Sequence, residues 1–196
     1  MSPEMVGYYR ALLFAELGDK FYQAFDEALE QENPISELIL SLCTCISDET
    51  EVLRILWEYT LDHPYDEQAV CDLLLEDMKQ RYLTGEMNRA EIASALFRIV
   101  ERMDKFFEDP WHRLTDCYYD LELWQDGVID EDVFNRCFDA WLFHGERLEA
   151  WVLQLEKNRE FPIRDPIFGK NISSQTGTSK DNVLQLTDKT NRRNQF

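Results

Sequence analysis

Residues 88–106, NRAEIASALFRIVERMDKF, decide the fold class. Asn88 followed three residues later by Glu91 is the pattern of a capped helix start, each side chain bonding the other's backbone N–H. Beyond it Ile92, Leu96, Ile99, Val100, Met103 and Phe106 recur at three- and four-residue spacing, which lines one face of an α-helix.

The same pattern repeats on both sides. Upstream, residues 5–32 read as helix, with Gly18 and Asp19 as a break point. Asn33 and Pro34 look like an N-cap followed by proline at the first helical position, opening a helix over Leu38, Ile39, Leu42, Cys43 and Ile46. Asp48 with Glu51 starts a third, carrying Val52, Leu53, Leu56, Trp57 and Leu61 until His63 and Pro64 stop it. A fourth begins near Asp66, uses Val70, Leu74 and Met78, and ends at Thr84 and Gly85. Downstream, Asp109 and Pro110 open a helix that closes at Gln125, Asp126 and Gly127. Asp130 caps a last long one running through Val133, Cys137, Trp141, Leu148 and Leu155. No segment alternates with period two, and tetratricopeptide and ankyrin repeat patterns are absent. The expectation is an all-α fold: a single bundle of about six to eight helices over residues 1–163, then a flexible, polar, slightly basic tail at 164–196. Val183, Leu184 and Leu186 are the tail's candidates for docking.

Charge narrows the function classes. The 196 residues carry a net charge of −19. From Arg164 onward there are six basic and three acidic residues, so residues 1–163 hold 14 basic and 36 acidic ones, a net of −22. That field repels nucleic acid phosphates and anionic membranes and favours a basic partner. Five cysteines, an odd number in a chain with ample apolar content, suit a reducing compartment. With no signal peptide or membrane span in the sequence, the expected localisation is cytoplasmic.

Searched for chemistry, the chain offers little. With Gly127 at the turn of a calcium loop, the third ligand would be Trp124 and the twelfth Val133, which carry no oxygen ligand in their side chains. His112, Asp116 and Asp120 share a helix face, but only His63 and His144 remain to complete a metal site, and His144 falls on an apolar stripe as a core histidine. No phosphate loop, G-x-S-x-G or HExxH is present. No catalytic residue, cofactor or metal ligand is therefore assigned, and no enzyme is expected.

What remains is residues 108–143, EDPWHRLTDCYYDLELWQDGVIDEDVFNRCFDAWLF, with nine carboxylates between 108 and 132 against Arg113. On a wheel of residues 109–125, Trp111, Leu114, Cys117, Tyr118 and Leu121 form the inward arc. His112, Asp116, Tyr119, Asp120 and Leu123 form the outward one. Either this helix packs on both sides, burying Tyr119 and Leu123, or the outward arc recognises a partner through rigid aromatic area and carboxylates. The partner-binding candidates are Asp116, Tyr119, Asp120, Leu123, Trp124 and Asp126, with Glu122 and Asp130 at the rim.

The stretch EDPWHRLTDCYYDLELWQDGVIDEDVF resembles small acidic, all-helical immunity proteins of bacterial polymorphic toxin systems: a Pro-Trp helix start, a Tyr-Tyr centre, an acidic turn and an acidic helix. The resemblance spans residues 83–142. It implies a cytoplasmic inhibitor that covers the active cleft of a cognate, basic toxin domain. Two alternatives stand beside it: an acidic nucleic-acid mimic that inhibits a DNA- or RNA-binding protein, and a structural or adaptor bundle.

Overall fold

A computed structural model describes residues 1–160. The chain divides into two units, Met1–Glu156 and Lys157–Phe196. The tail assigned to 164–196, with its Val183, Leu184 and Leu186, lies outside the described residues.

Among the described residues there are nine α-helices, one 3₁₀ turn and no strand, in the order α1 (Pro3–Phe14), α2 (Asp19–Gln31), α3 (Glu37–Cys43), α4 (Glu49–Asp62), α5 (Glu67–Leu83), α6 (Arg89–Arg102), the 3₁₀ turn Trp111–Thr115, α7 (Asp116–Gln125), α8 (Glu131–His144) and α9 (Ala150–Glu160). The all-α class is as expected, and the count is one above the range. The added helix comes from the segment read as continuous after Asp130, which breaks at Gly145. There φ is +66°, a left-handed geometry that only glycine adopts without steric cost, and the N–H groups of Gly145 and Glu146 close α8 on the carbonyls of Trp141 and Ala140. No helix among the described residues is long and apolar enough to cross a membrane.

Helix starts follow local chemistry. Asn88 and Glu91 form the reciprocal capping box, at 2.7 and 3.0 Å. Asp48 accepts the N–H groups of Thr50 and Glu51, and Asp66 that of Gln68. Asn33 and Pro34 do not open a helix. The Glu32 carboxylate instead accepts the Ser36 N–H at 3.1 Å, which closes a turn and delays α3 to Glu37.

α1 is the hub. Val6, Ala11 and Leu12 are fully buried, and Tyr8, Tyr9 and Leu13 nearly so, on all sides of the helix. A helix apolar all round belongs inside a bundle, and α1 packs against α2, α4, α5 and α6. The second half of the unit is built on α6, whose Ile92, Leu96, Ile99 and Val100 are fully buried. α6 touches the 3₁₀ turn and α7, and α7 lies on α8. Trp111 anchors the turn, fully buried with its indole N–H donated to Glu67 at 2.8 Å.

An ion network is built around the buried Arg81 and Asp77. The Arg81 guanidinium, 3 % exposed, bonds Asp77 at 3.1 Å and Asp19 at 2.8 Å and also reaches Glu86; Lys20 meets Asp77 from the far side. It ties α5 to the start of α2, and burial with the Asp77 carboxylate pushes the Tyr8 phenol well up, so it stays protonated. Cys71, Cys117 and Cys137 are buried free thiols, while Cys43 is exposed and Cys45 partly so. His144 is exposed at the end of α8, not the core histidine expected from its stripe. The reason is again the Gly145 break, which ends the helical phase there.

Candidate functional site

α7 and its flanks place the eight predicted contact residues unequally. Tyr119 is 49 % exposed, and Glu122, Asp126 and Asp130 are exposed as well. Asp116, Leu123 and Trp124 are half-buried. Trp124 stacks on Phe134, ring centroids 5.2 Å apart and planes 8° from parallel, and Leu123 packs on the core. Asp130 sits at the N-cap position of α8, where its N–H donates to the Gln154 side chain at 2.8 Å. Tyr118 stacks on Phe97 of α6 with centroids 3.9 Å apart, so the inward role expected of it holds.

Asp120 departs from its expected place. It is 3 % exposed rather than outward, and both its oxygens accept from Arg147. The cause is the 3₁₀ turn. Trp111 and Leu114 are buried as expected, but they lie in the 3₁₀ turn, which advances about 120° per residue, so a wheel at about 100° per residue drawn through them sets the wrong phase for α7. Within α7 alone the buried arc runs over Cys117, Asp120 and Leu121. Arg147 comes from the loop that Gly145 creates between α8 and α9. Burial pushes the Asp120 carboxyl up more than the Arg147 charge pulls it down. Burial works against the Arg147 charge too, but Asp120 and Asp116 outweigh it and raise its pKa.

Beside this pair lies a cavity of about 500 Å³ between α5, the 3₁₀ turn, the start of α7 and the end of α8. Asp116, Arg147, His112, Arg113, Trp141 and Cys71 are among its lining residues. The Trp141 indole N–H donates to the Arg113 carbonyl at 3.2 Å. His112 leans on Asp109 at 2.8 Å, which takes its Nδ1 out of the cavity's chemistry. Asp116 is the group left over. Its carboxylate has no hydrogen bond or ion pair among the described residues, and desolvation pushes its pKa up despite Arg147, His112 and Arg113 nearby. Cys71 is no nucleophile at neutral pH, since burial pushes its thiol up to about 12.

Among the described residues no three His, Cys, Asp or Glu side chains are grouped to hold a metal ion. His112, Asp116 and Asp120 are therefore not brought together as ligands, Asp120 being committed to Arg147. Arg147 and Trp141 are the site residues that the sequence reading did not single out. Gly145 was the available signal, a glycine directly after His144 and past a run of apolar positions. No protein-family model, curated protein or solved structure matches this chain.

Proposed function

We propose that this protein is a non-catalytic binding protein whose partner is a basic protein, with the exposed side of α7 and the mouth of the adjoining cavity as the contact. Asp116 is the observation that carries this reading. A half-buried carboxylate without a partner raises the energy of the free protein, and a cation brought by a partner would return that cost. Tyr119 lies three residues on along α7, and so beside it, half-exposed and able to supply rigid contact area. Glu122 and Asp126 add negative charge at the rim, which speeds the approach of a basic protein more than it strengthens the complex.

The resemblance to immunity proteins gives the proposal its specific form: a cytoplasmic inhibitor that covers the active cleft of a cognate toxin domain. The test is affinity capture by the full chain from an extract of its source organism, identification of the captured protein, and a binding isotherm for the double variant Tyr119→Ala/Asp116→Asn. The expected result is a basic protein whose affinity for the variant falls at least about tenfold, a loss of about 1.4 kcal/mol. An acidic partner, or unchanged affinity, overturns the reading. Asp120→Lys is not a usable probe, because it would bury a second cation against Arg147.

A further inference from the structure

The loop 103–110, between α6 and the 3₁₀ turn, holds one side chain wholly in water. Phe107 is 100 % exposed, and no other large apolar residue among the described ones exceeds 65 %. A tight turn puts it there. The Glu108 N–H donates to the Lys105 carbonyl at 3.2 Å, so Phe106 and Phe107 are the two central residues. Such positions favour glycine, asparagine, aspartate, proline and serine, and two phenylalanines there need another reason. Phe106 has one: it meets Phe97 of α6 edge-on, with ring centroids 5.2 Å apart. Phe107 has none inside the fold.

The turn is clamped rather than loose. One carboxylate, Glu67 at the start of α5, holds both ends of the loop. Its Oε1 meets the Lys105 ammonium at 3.0 Å, and its Oε2 accepts the indole N–H of the buried Trp111 at 2.8 Å. Lys105 also pairs with Glu108 across the turn. An aromatic side chain held out on a fixed backbone loses little freedom when a partner covers it, which is what a hot-spot anchor requires. The flanking residues set the charge of that partner. Glu101, Asp104, Glu108 and Asp109 are all exposed. Asp104 stands at φ +57° just past α6, a place helices commonly give to glycine, and makes no ion pair among the described residues. A second copy of this chain, or an anionic membrane, would bring like charge to that rim. The turn is also continuous with α7, through Phe106, Phe97 and the Tyr118 ring stacked on it.

We propose that Phe107 is the anchor of a protein contact, entering an apolar pocket rimmed by lysine and arginine on a basic partner. That this partner is the one met by α7 rests on the reading given above; the anchor role of Phe107 does not. The experiment places p-benzoylphenylalanine at position 107 of the full chain and irradiates it in an extract of the source organism. The same group in place of the exposed Leu61 is the control. The expected result is a crosslink, made from position 107 alone, to a basic protein at an apolar segment bearing lysine or arginine. Against that purified protein, Phe107→Ala lowers affinity about thirtyfold and leaves the melting temperature unchanged. Lys105→Ala, which frees the turn, lowers it about threefold, although losing a cation would by itself strengthen attraction to a basic protein. Retained affinity in Phe107→Ala overturns the inference, as does a crosslink to a second copy of this chain or no crosslink at all. Co-sedimentation of the unmodified chain with phosphatidylcholine vesicles, lost in Phe107→Ala, overturns it too. A loss for Phe107→Ala while Tyr119→Ala/Asp116→Asn binds normally supports the anchor and sinks the α7 contact. Normal binding of Phe107→Ala with a loss for Tyr119→Ala/Asp116→Asn sinks this inference and leaves the proposed function standing.

Discussion

Asp116 and Asp120 are one turn apart on α7 and meet opposite fates. Asp120 is buried and neutralised in place by Arg147, while Asp116 is half-buried and meets no cation directly. The Asp116 pKa lies above its ordinary 3.8 in the folded state. Below that ordinary value both folded and unfolded chains are protonated there, and the group contributes nothing. As pH rises through the window between the two values the unfolded chain ionises first, so stability is lost and stays lost above the folded pKa. Asp116→Asn is therefore expected to raise the denaturation midpoint at neutral pH, with the gain shrinking as pH falls towards 4. Equal midpoints at both pH values would show that the carboxylate is solvated and carries no cost.

Between elements, the Arg81 network joins α5 to the first turn of α2. Arg81→Met should cost about 3 kcal/mol in chemical denaturation, the lower end for a broken buried pair, because Lys20 still faces Asp77. Arg81→Met/Asp77→Leu should recover most of that loss, since no uncompensated charge is left inside; the Tyr8 hydroxyl, which bonds Asp77, accounts for the remainder. This network was not legible in the sequence. Arg81 and Asp77 are four apart and look like an ordinary surface pair, and only tertiary packing takes them out of water, with α1 and its Tyr8 against Asp77 and with Asp19, 62 residues away, bonded to Arg81. What was legible is what a few neighbouring residues decide among themselves: the Asn88–Glu91 box, the caps at Asp48 and Asp66, and the ends at Gly85 and Gly127. The candidate site was half legible. Tyr119 sits outside as the recognition reading required, but Asp120 turned inward for two reasons a uniform wheel does not contain, the 3₁₀ turn before it and Arg147 27 residues after it.

For the molecule as a whole, charge dominates. With a net of −22 over residues 1–163, the compact state repels itself. Raising sodium chloride from about 10 mM to about 150 mM shortens the screening length from about 30 Å to about 8 Å. The melting temperature should rise over that range, and the association rate with a basic partner should fall. A melting temperature that drops instead would mean that favourable ion pairs outweigh the repulsion.

The cysteine distribution turns the fold into its own clock. Burial pushes the Cys71 and Cys137 thiols up to about 12 and about 11, and Cys117 higher still, so all three are shut away and almost wholly unionised at neutral pH. Cys43 stands open at the end of α3. An alkylating reagent therefore marks α3 at once, and reaches α5, α7 and α8 only during excursions that part them. Mass increments on one chain then separate the standing exposure of α3 from the breathing of the Asp116 half, without any introduced label.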